Sequence, residues 1–141
     1  MDPVRFMKTI YLGDRACKKI ILDGWNCQVM LQVDSISRVR DPSGLWNYYM
    51  AEDIENGLIV FQHVSSFAME PSGLIPNDFI LDFEVNPLSE KDISGNPLYL
   101  FIFHIGYGDQ KTLRTAKVTV KIEASEVHLE DPARPGIAIT E

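Results

Sequence analysis

The strict alternation of apolar and polar residues in Ala116–Ser125 constrains this chain more than any other feature. Ala116, Val118, Val120, Ile122 and Ala124 interleave with Lys117, Thr119, Lys121, Glu123 and Ser125. Successive side chains of a strand point to opposite faces, so this pattern predicts a strand with one buried and one wet face. Asn26–Val33 repeats it, with Cys27, Val29, Leu31 and Val33 alternating with Gln28, Met30 and Gln32. After Asp34 the apolar parity moves to Ile36, which predicts a bulge or bend. Ala16–Leu22 precedes this strand across Asp23-Gly24-Trp25-Asn26, a two-residue hairpin loop with Gly24 at the first central position of a type II′ turn. That register pairs Asp23 with Asn26, Leu22 with Cys27 and Cys17 with Gln32. It puts Cys27 in the core and leaves Cys17 partly exposed, too far apart for a disulfide.

Phe79–Val85 is a further strand. Two segments are apolar on both parities: Leu58-Ile59-Val60-Phe61, opening a strand that runs to Met69, and Leu98–Ile105. Such strands belong at the centre of a sheet with cover on both faces. Trp46–Asn56 is the one segment with a helical signal, closed by Gly57 as a left-handed C-terminal cap, and the helix would supply that cover. Ser89-Glu90-Lys91-Asp92 reads as a single capped helical turn, and Gly106-Tyr107-Gly108-Asp109 as a turn. The fold predicted is mainly β, an antiparallel β-sandwich with one short helix, the alternative being a partly open β-barrel. Residues 1–130 form a single β-rich domain, and 131–141, with two prolines and a glycine, a C-terminal tail.

Length and charge narrow the function classes. With 141 residues, 45% of them hydrophobic, the chain can bury a core without staples. No apolar run approaches the ~18–20 residues of a membrane helix, and Met1–Phe6 lacks the pattern of a signal peptide, so a cytoplasmic protein without a membrane partner is expected. Nucleic acid is not an expected partner at a net charge of -7. The excess is localised: residues 1–40 carry a net +3, residues 41–110 a net -10, and residues 111–141 balance.

No catalytic residue, metal site or cofactor emerges. There is no nucleophile elbow, phosphate-binding loop or zinc spacing. The aspartates near strand ends, Asp14, Asp23, Asp41, Asp53, Asp78, Asp92 and Asp109, read as turn chemistry rather than calcium ligands. His104 is expected as a hydrogen-bonded interior residue, and His63 and His128 at solvent or a sheet edge. The most suggestive cluster is Trp46, Tyr48 and Tyr49 beside Glu52, Asp53 and Glu55, aromatic anchors with an acidic rim suited to a basic protein partner. The structural alternative is that Trp46 and one tyrosine pack the helix onto the sheet.

Thr9-Ile10-Tyr11-Leu12-Gly13-Asp14-Arg15-Ala16-Cys17, Ile36-Ser37-Arg38, Trp46-Asn47-Tyr48-Tyr49 and Asp53-Ile54-Glu55-Asn56-Gly57 resemble an uncharacterised family of small bacterial proteins. The resemblance covers roughly Phe6–Val64. Families of that kind are similar in size and acidity to the immunity proteins of toxin systems, an analogy that transfers no site residue. Gly13-Asp14-Arg15 reads as a structural turn, with Asp14 accepting backbone hydrogen bonds and Arg15 reaching a carboxylate such as Asp53 or Glu55. The function expected is a non-catalytic protein-binding module, in its finer form an immunity-type inhibitor with an acidic surface for a basic partner. The alternative is a small-ligand-binding protein or unrecognised hydrolase, its pocket lined by Phe101, Phe103, Tyr107 or Trp46 and carrying His104.

Overall fold

A computed structural model describes residues 1–39 and 52–141. Helix α1 (Pro3–Met7) is followed by β1 (Ile10–Tyr11), β2 (Cys17–Asp23), β3 (Gln28–Val33), β4 (Ser35–Arg38), β5 (Ile54–Glu55) and β6 (Leu58–Gln62). Strands β7 (Ser66–Glu70), β8 (Ile80–Lys91), β9 (Pro97–Asp109), β10 (Arg114–Ala124), β11 (Glu126–Glu130) and β12 (Ala138–Ile139) complete the described elements. They form a five-stranded sheet in the order β12-β11-β6-β3-β2, a four-stranded sheet β7-β10-β9-β8, and a small sheet β1-β4-β5. Every pairing among the described strands is antiparallel. The architecture is sandwich-like and does not close into a barrel.

The core lies between the two larger sheets. Val29, Leu31 and Val33 of β3, Ile59 and Phe61 of β6, and Leu129 of β11 share one buried cluster with Phe101, Phe103 and Ile105 of β9 and Val118, Val120 and Ile122 of β10. Phe61 is the hub: its ring meets Phe101 edge-on at 4.9 Å and Phe103 at 5.8 Å, and Phe103 stacks on Phe83 at 5.7 Å. Strand β10 alternates as its sequence predicts. Strand β9 is central, but its outward residues Leu100, Ile102 and His104 are only half-buried. In register, Ile102 lies between Glu84 and Lys121, whose stems can shield it laterally.

Several expectations are corrected. The first hairpin pairs Asp23 with Gln28, giving a four-residue loop in which Cys27 has a left-handed φ of 50° and is exposed. The Asp23 carboxylate accepts from the Asn26 backbone N–H (3.2 Å) and side-chain amide (2.9 Å), which closes the wider loop. The register then slips between Cys17 and Lys19, and that bulge turns Cys17 inward, to full burial. Both thiols are free, and the exposures are the reverse of those predicted.

The run from Leu58 to Met69 is two strands in different sheets. His63 takes a left-handed φ of 55°, and Val64 and Ser65 donate to the carbonyls of Cys27 and Glu123, handing the chain from one sheet to the other. In the predicted helix, residues 46–51 lie outside the described residues, and Ile54–Glu55 is a strand paired with Ile36 and Ser35. Gly57 is not a helix cap. Asn56 takes the left-handed conformation, while a Cβ at Gly57 would sit 2.7 Å from Ile36 Cδ1, so glycine is needed for close approach. Ser89–Lys91 continues β8, and Gly106–Asp109 continues β9 rather than turning. The tail contributes Ala138–Ile139 as a strand on Leu129 and Glu130, and Arg38 Nη2 donates to the Glu141 carbonyl at 2.6 Å.

Among the described residues the short helix is α1. Asp2 accepts from the Arg5 N–H at 3.0 Å as its N-cap, and Pro3 occupies the first turn, where its missing N–H costs nothing. The helix sends Phe6 and Met7 into the core beside β8 and β11.

Replacing Phe61 by Ala should cost about 3–5 kcal/mol by urea unfolding, whereas Trp25→Ala, at a loop position 95% exposed, should stay within about 0.5 kcal/mol. Acid should weaken the fold in a defined window. The carboxyls of Asp23, Asp92 and Asp109 are held below their ordinary range: Asp23 chiefly by the Asn26 side chain, Asp92 by the Asn96 N–H and Asp109 by the Lys111 N–H. Their contribution is present above the unfolded value of about 3.9 and is lost as pH falls through the lower folded values, so urea midpoints should hold from about pH 7 to 5 and drop below about pH 4.

Candidate functional site

Of the aromatic and acidic cluster expected from the sequence, Trp46, Tyr48 and Tyr49 lie outside the described residues. Glu52 and Asp53 are exposed on the approach to β5, and Glu55 is exposed within it, opposite Ser35. Gly13 and Asp14 form a turn in which the Arg15 N–H donates to the Leu12 carbonyl at 3.2 Å. Asp14 takes a φ of 56°, and a Cβ at Gly13 would overlap the Tyr11 ring and hydroxyl, so the tyrosine folds back over this turn. Arg15 does not reach Asp53 or Glu55: its Nη2 donates to the buried Ser37 hydroxyl at 2.7 Å. The backbone-capping role expected of Asp14 belongs to Asp34, whose Oδ1 accepts from Ala16 and Ser35, both at 2.9 Å.

This turn leads into a corner where the two sandwich sheets are joined. Strand β2 is the edge of one sheet and β8 the edge of the other. The Cys17 N–H donates to Asp78 O (3.0 Å) and the Ile80 N–H to Arg15 O (2.8 Å), with Ala16 and Phe79 forming a bridge between them. On the other side, the Asn77 and Asp78 N–H groups donate to Gly106 O, and the Gly106 N–H to Phe79 O at 2.9 Å. The Asn77 side chain and Gly108 exchange two hydrogen bonds, at 2.9 and 3.0 Å. A Cβ at Gly106 would meet Asp78 Cβ at 3.1 Å, so this close passage accounts for the glycine-rich end of β9.

The stitching fixes which side chains face out. Ile80 and Cys17 enter the core, while Phe79 is 52% exposed. Between Ile80↔Ile105 and Asp82↔His104 the register shifts, making Leu81 the extra residue of a bulge, 59% exposed. A shallow depression of about 260 Å³ separates Leu81 and Asp82 from Tyr11 and Gly13. Asp78 and Asp82, both exposed, border this apolar pair in sequence, and exposed Asp14 lies in the turn that precedes Arg15. The signal in the sequence was the run Phe79-Ile80-Leu81: three consecutive apolar residues entering an alternating strand require either a bulge or an apolar residue on the wet face.

The acidic excess of residues 41–110 is split rather than gathered. Glu52, Asp53 and Glu55 lie by the small sheet; Asp82, Glu84 and Glu90 lie on β8; Glu70 is on β7, 3.4 Å from Lys121. Asp92 and Asp109 cap turns, accepting from the N–H groups of Ser94 and Asn96 and of Lys111.

The three histidines and Cys17 are further reactive side chains among the described residues. His104 Nδ1 is 3.0 Å from Thr119 Oγ1 and its Nε2 3.7 Å from Asp82 Oδ1, a half-buried contact on the outward face of the four-stranded sheet. Phe101 and Phe103 are fully buried on the opposite face, so they and His104 do not line a shared pocket as one expectation required. His63 is exposed, but His128 is buried, its Nε2 3.0 Å from Glu130 Oε1. Among the described residues no group of three or more His, Cys, Asp or Glu could hold a metal ion. Burial pushes the Cys17 thiol up to about 11, which removes it as a nucleophile.

Comparison with protein-family models matches residues 1–141 to the family described as "Family of unknown function (DUF6258)", and the chain belongs to that family. Neither curated proteins nor solved structures give a match.

The two cysteines should separate cleanly in a thiol titration. An aromatic disulfide reagent should modify one equivalent, Cys27, in the folded protein and the second only in denaturant; Cys27→Ser should abolish the first phase, and a fast first phase retained in that variant would contradict the burial of Cys17.

Proposed function

We propose that this member of the family is a non-catalytic protein-binding module acting in a bacterial cytoplasm, in its finer form an immunity-type inhibitor that engages a basic partner. The observation that carries this reading is the corner at Phe79 and Leu81. Two large apolar side chains stand more than half exposed on backbone held by hydrogen bonds from both sides. Fixed exposure of this kind lowers the ordering cost of association, and apolar anchors supply most of the energy in an interface centre.

The charges favour a basic partner. Asp78 and Asp82 border the apolar pair in sequence, Asp14 lies in the turn before Arg15, and the Arg15 guanidinium is bonded to Ser37. Rim carboxylates of this kind contribute mainly to encounter rate and selectivity. Glu52, Asp53 and Glu55 extend the acidic character to β5 on the small sheet.

The test is titration calorimetry against candidate basic proteins, the products of neighbouring genes first. Phe79→Ala and Leu81→Ala should each weaken binding about tenfold or more, and the Asp78→Asn/Asp82→Asn pair should flatten the salt dependence of association. Unchanged affinity in all of these variants would overturn the assignment of this surface.

A further inference from the structure

The two larger sheets end on β12 and β2 and on β7 and β8, and three of these strands carry something that limits further pairing. Strand β12 is only two residues long, β2 and β8 are tied to each other at the corner, and β8 also holds Pro87 and a row of carboxylates. Strand β7, Ser66-Phe67-Ala68-Met69-Glu70, contains no proline, and its one charge sits at its last residue, 3.4 Å from Lys121. It pairs with β10 over five residues without a register shift, from Glu70 opposite Thr119 to Ser66 opposite Glu123. Among the described residues no strand lies on its other side, and residues 66–70 make no backbone hydrogen bond outside that ladder. An unblocked edge is a template for another strand.

The five residues are self-complementary. A two-fold axis through Ala68, normal to the sheet, sets Ser66 opposite Glu70, Phe67 opposite Met69 and Ala68 opposite Ala68 of a second, antiparallel copy. Phe67 and Met69 face the core but are only half-buried at the margin of the sheet. In the paired register the inner row runs Ile122, Phe67, then Met69 and Val120 of the second copy, apolar throughout. Aromatic and thioether side chains facing each other across a strand pair stabilise it. On the outer face the Ser66 hydroxyl can donate to the Glu70 carboxylate of the other copy. No like charges fall directly opposite, because both Ala68 residues stand between the two Lys121 side chains.

We propose that β7 pairs with β7 of a second copy of this chain, forming a symmetric dimer in which two four-stranded sheets join into one of eight strands. The corner at Phe79 and Leu81 lies at the opposite margin of that sheet, so the dimer presents it twice. The pairing does not rest on the protein-binding role of that corner.

Sedimentation velocity of the full chain over a concentration series tests it. A reversible monomer–dimer equilibrium is expected, with a dissociation constant of about 1–100 μM, as suits an interface smaller than the standard size. Ala68→Lys sets two like charges opposite each other at the axis and should weaken the dimer about tenfold or more, whereas Asn86→Lys, exposed on β8, should leave it unchanged. A second measurement reads the register without relying on that variant. In a Cys27→Ser background, Ala68→Cys should be joined into covalent dimers by a short bis-maleimide, since facing Cβ atoms lie about 4.5–5.5 Å apart, and Asn86→Cys should not; Cys17 is buried. A monomer at every concentration up to about 1 mM, a dimer that Ala68→Lys leaves intact, or equal cross-linking at positions 68 and 86 would overturn the proposal. A parent that stays monomeric while Ala68→Lys loses a basic protein partner would give the edge to a foreign strand and overturn it equally.

Discussion

Backbone hydrogen bonds between Arg15–Cys17 and Asp78–Ile80 join the edge strands of two sheets that otherwise meet mainly through side chains. An open sandwich leaves unpaired N–H and C=O groups along its edges, and β2 and β8 meet that problem at one corner by pairing with each other. Each strand accommodates the junction with a register shift. In β2 the slip between Cys17 and Lys19 sends the Cys17 thiol inward, and in β8 the slip between Ile80 and Asp82 leaves Leu81 outside. The apolar surface at this corner is therefore a by-product of how the two sheets are tied. Its rigidity follows from the same bonds.

Beyond the corner, the long edge of β8 is managed by sequence. Asp82, Glu84 and Glu90 are exposed along it, and Pro87, which has no N–H to offer a neighbour, sits near its middle. Charges and proline are the usual devices against edge-to-edge association. The acidic excess of residues 41–110 thus resolves into different tasks. Turn aspartates such as Asp92 and Asp109 close hairpins, the β8 carboxylates blunt an edge, and Asp78 and Asp82 also border the exposed pair at Phe79 and Leu81.

How much of this was legible in the sequence depends on how local each determinant is. The alternation of β10 and β3 is a property of consecutive residues, and it locates both strands and the inward facing of Val118, Val120 and Ile122 and of Val29, Leu31 and Val33, with Cys27 falling outside in the loop. Membership of a family of unknown function, matched over residues 1–141, agrees with the expectation of an uncharacterised family. What pattern alone missed were events of one or two residues. A bulge between Cys17 and Lys19 turns Cys17 inward, and a hairpin loop of four residues instead of two leaves Cys27 outside, which is why the two cysteines exchanged places. Gly57 was misassigned because a C-cap glycine and a glycine under Ile36 are identical in sequence; only the distant partner distinguishes them. Helix α1 went unread because its five residues are too few to establish a helical period, and a capping Asp2 before Pro3 is its one local mark. The Phe79 and Leu81 corner was foreshadowed by three adjacent apolar residues.

The central claim is that the corner is held as firmly as the core, so that Phe79 and Leu81 are presented on fixed backbone. Amide hydrogen exchange measures this directly, because protection reports the free energy of local opening. The N–H groups of Cys17, Ile80 and Gly106 should exchange about as slowly as those of Phe103 and Val120 in the central strands. Exchange of all three as fast as the N–H of Trp25 at the exposed hairpin loop would contradict the account.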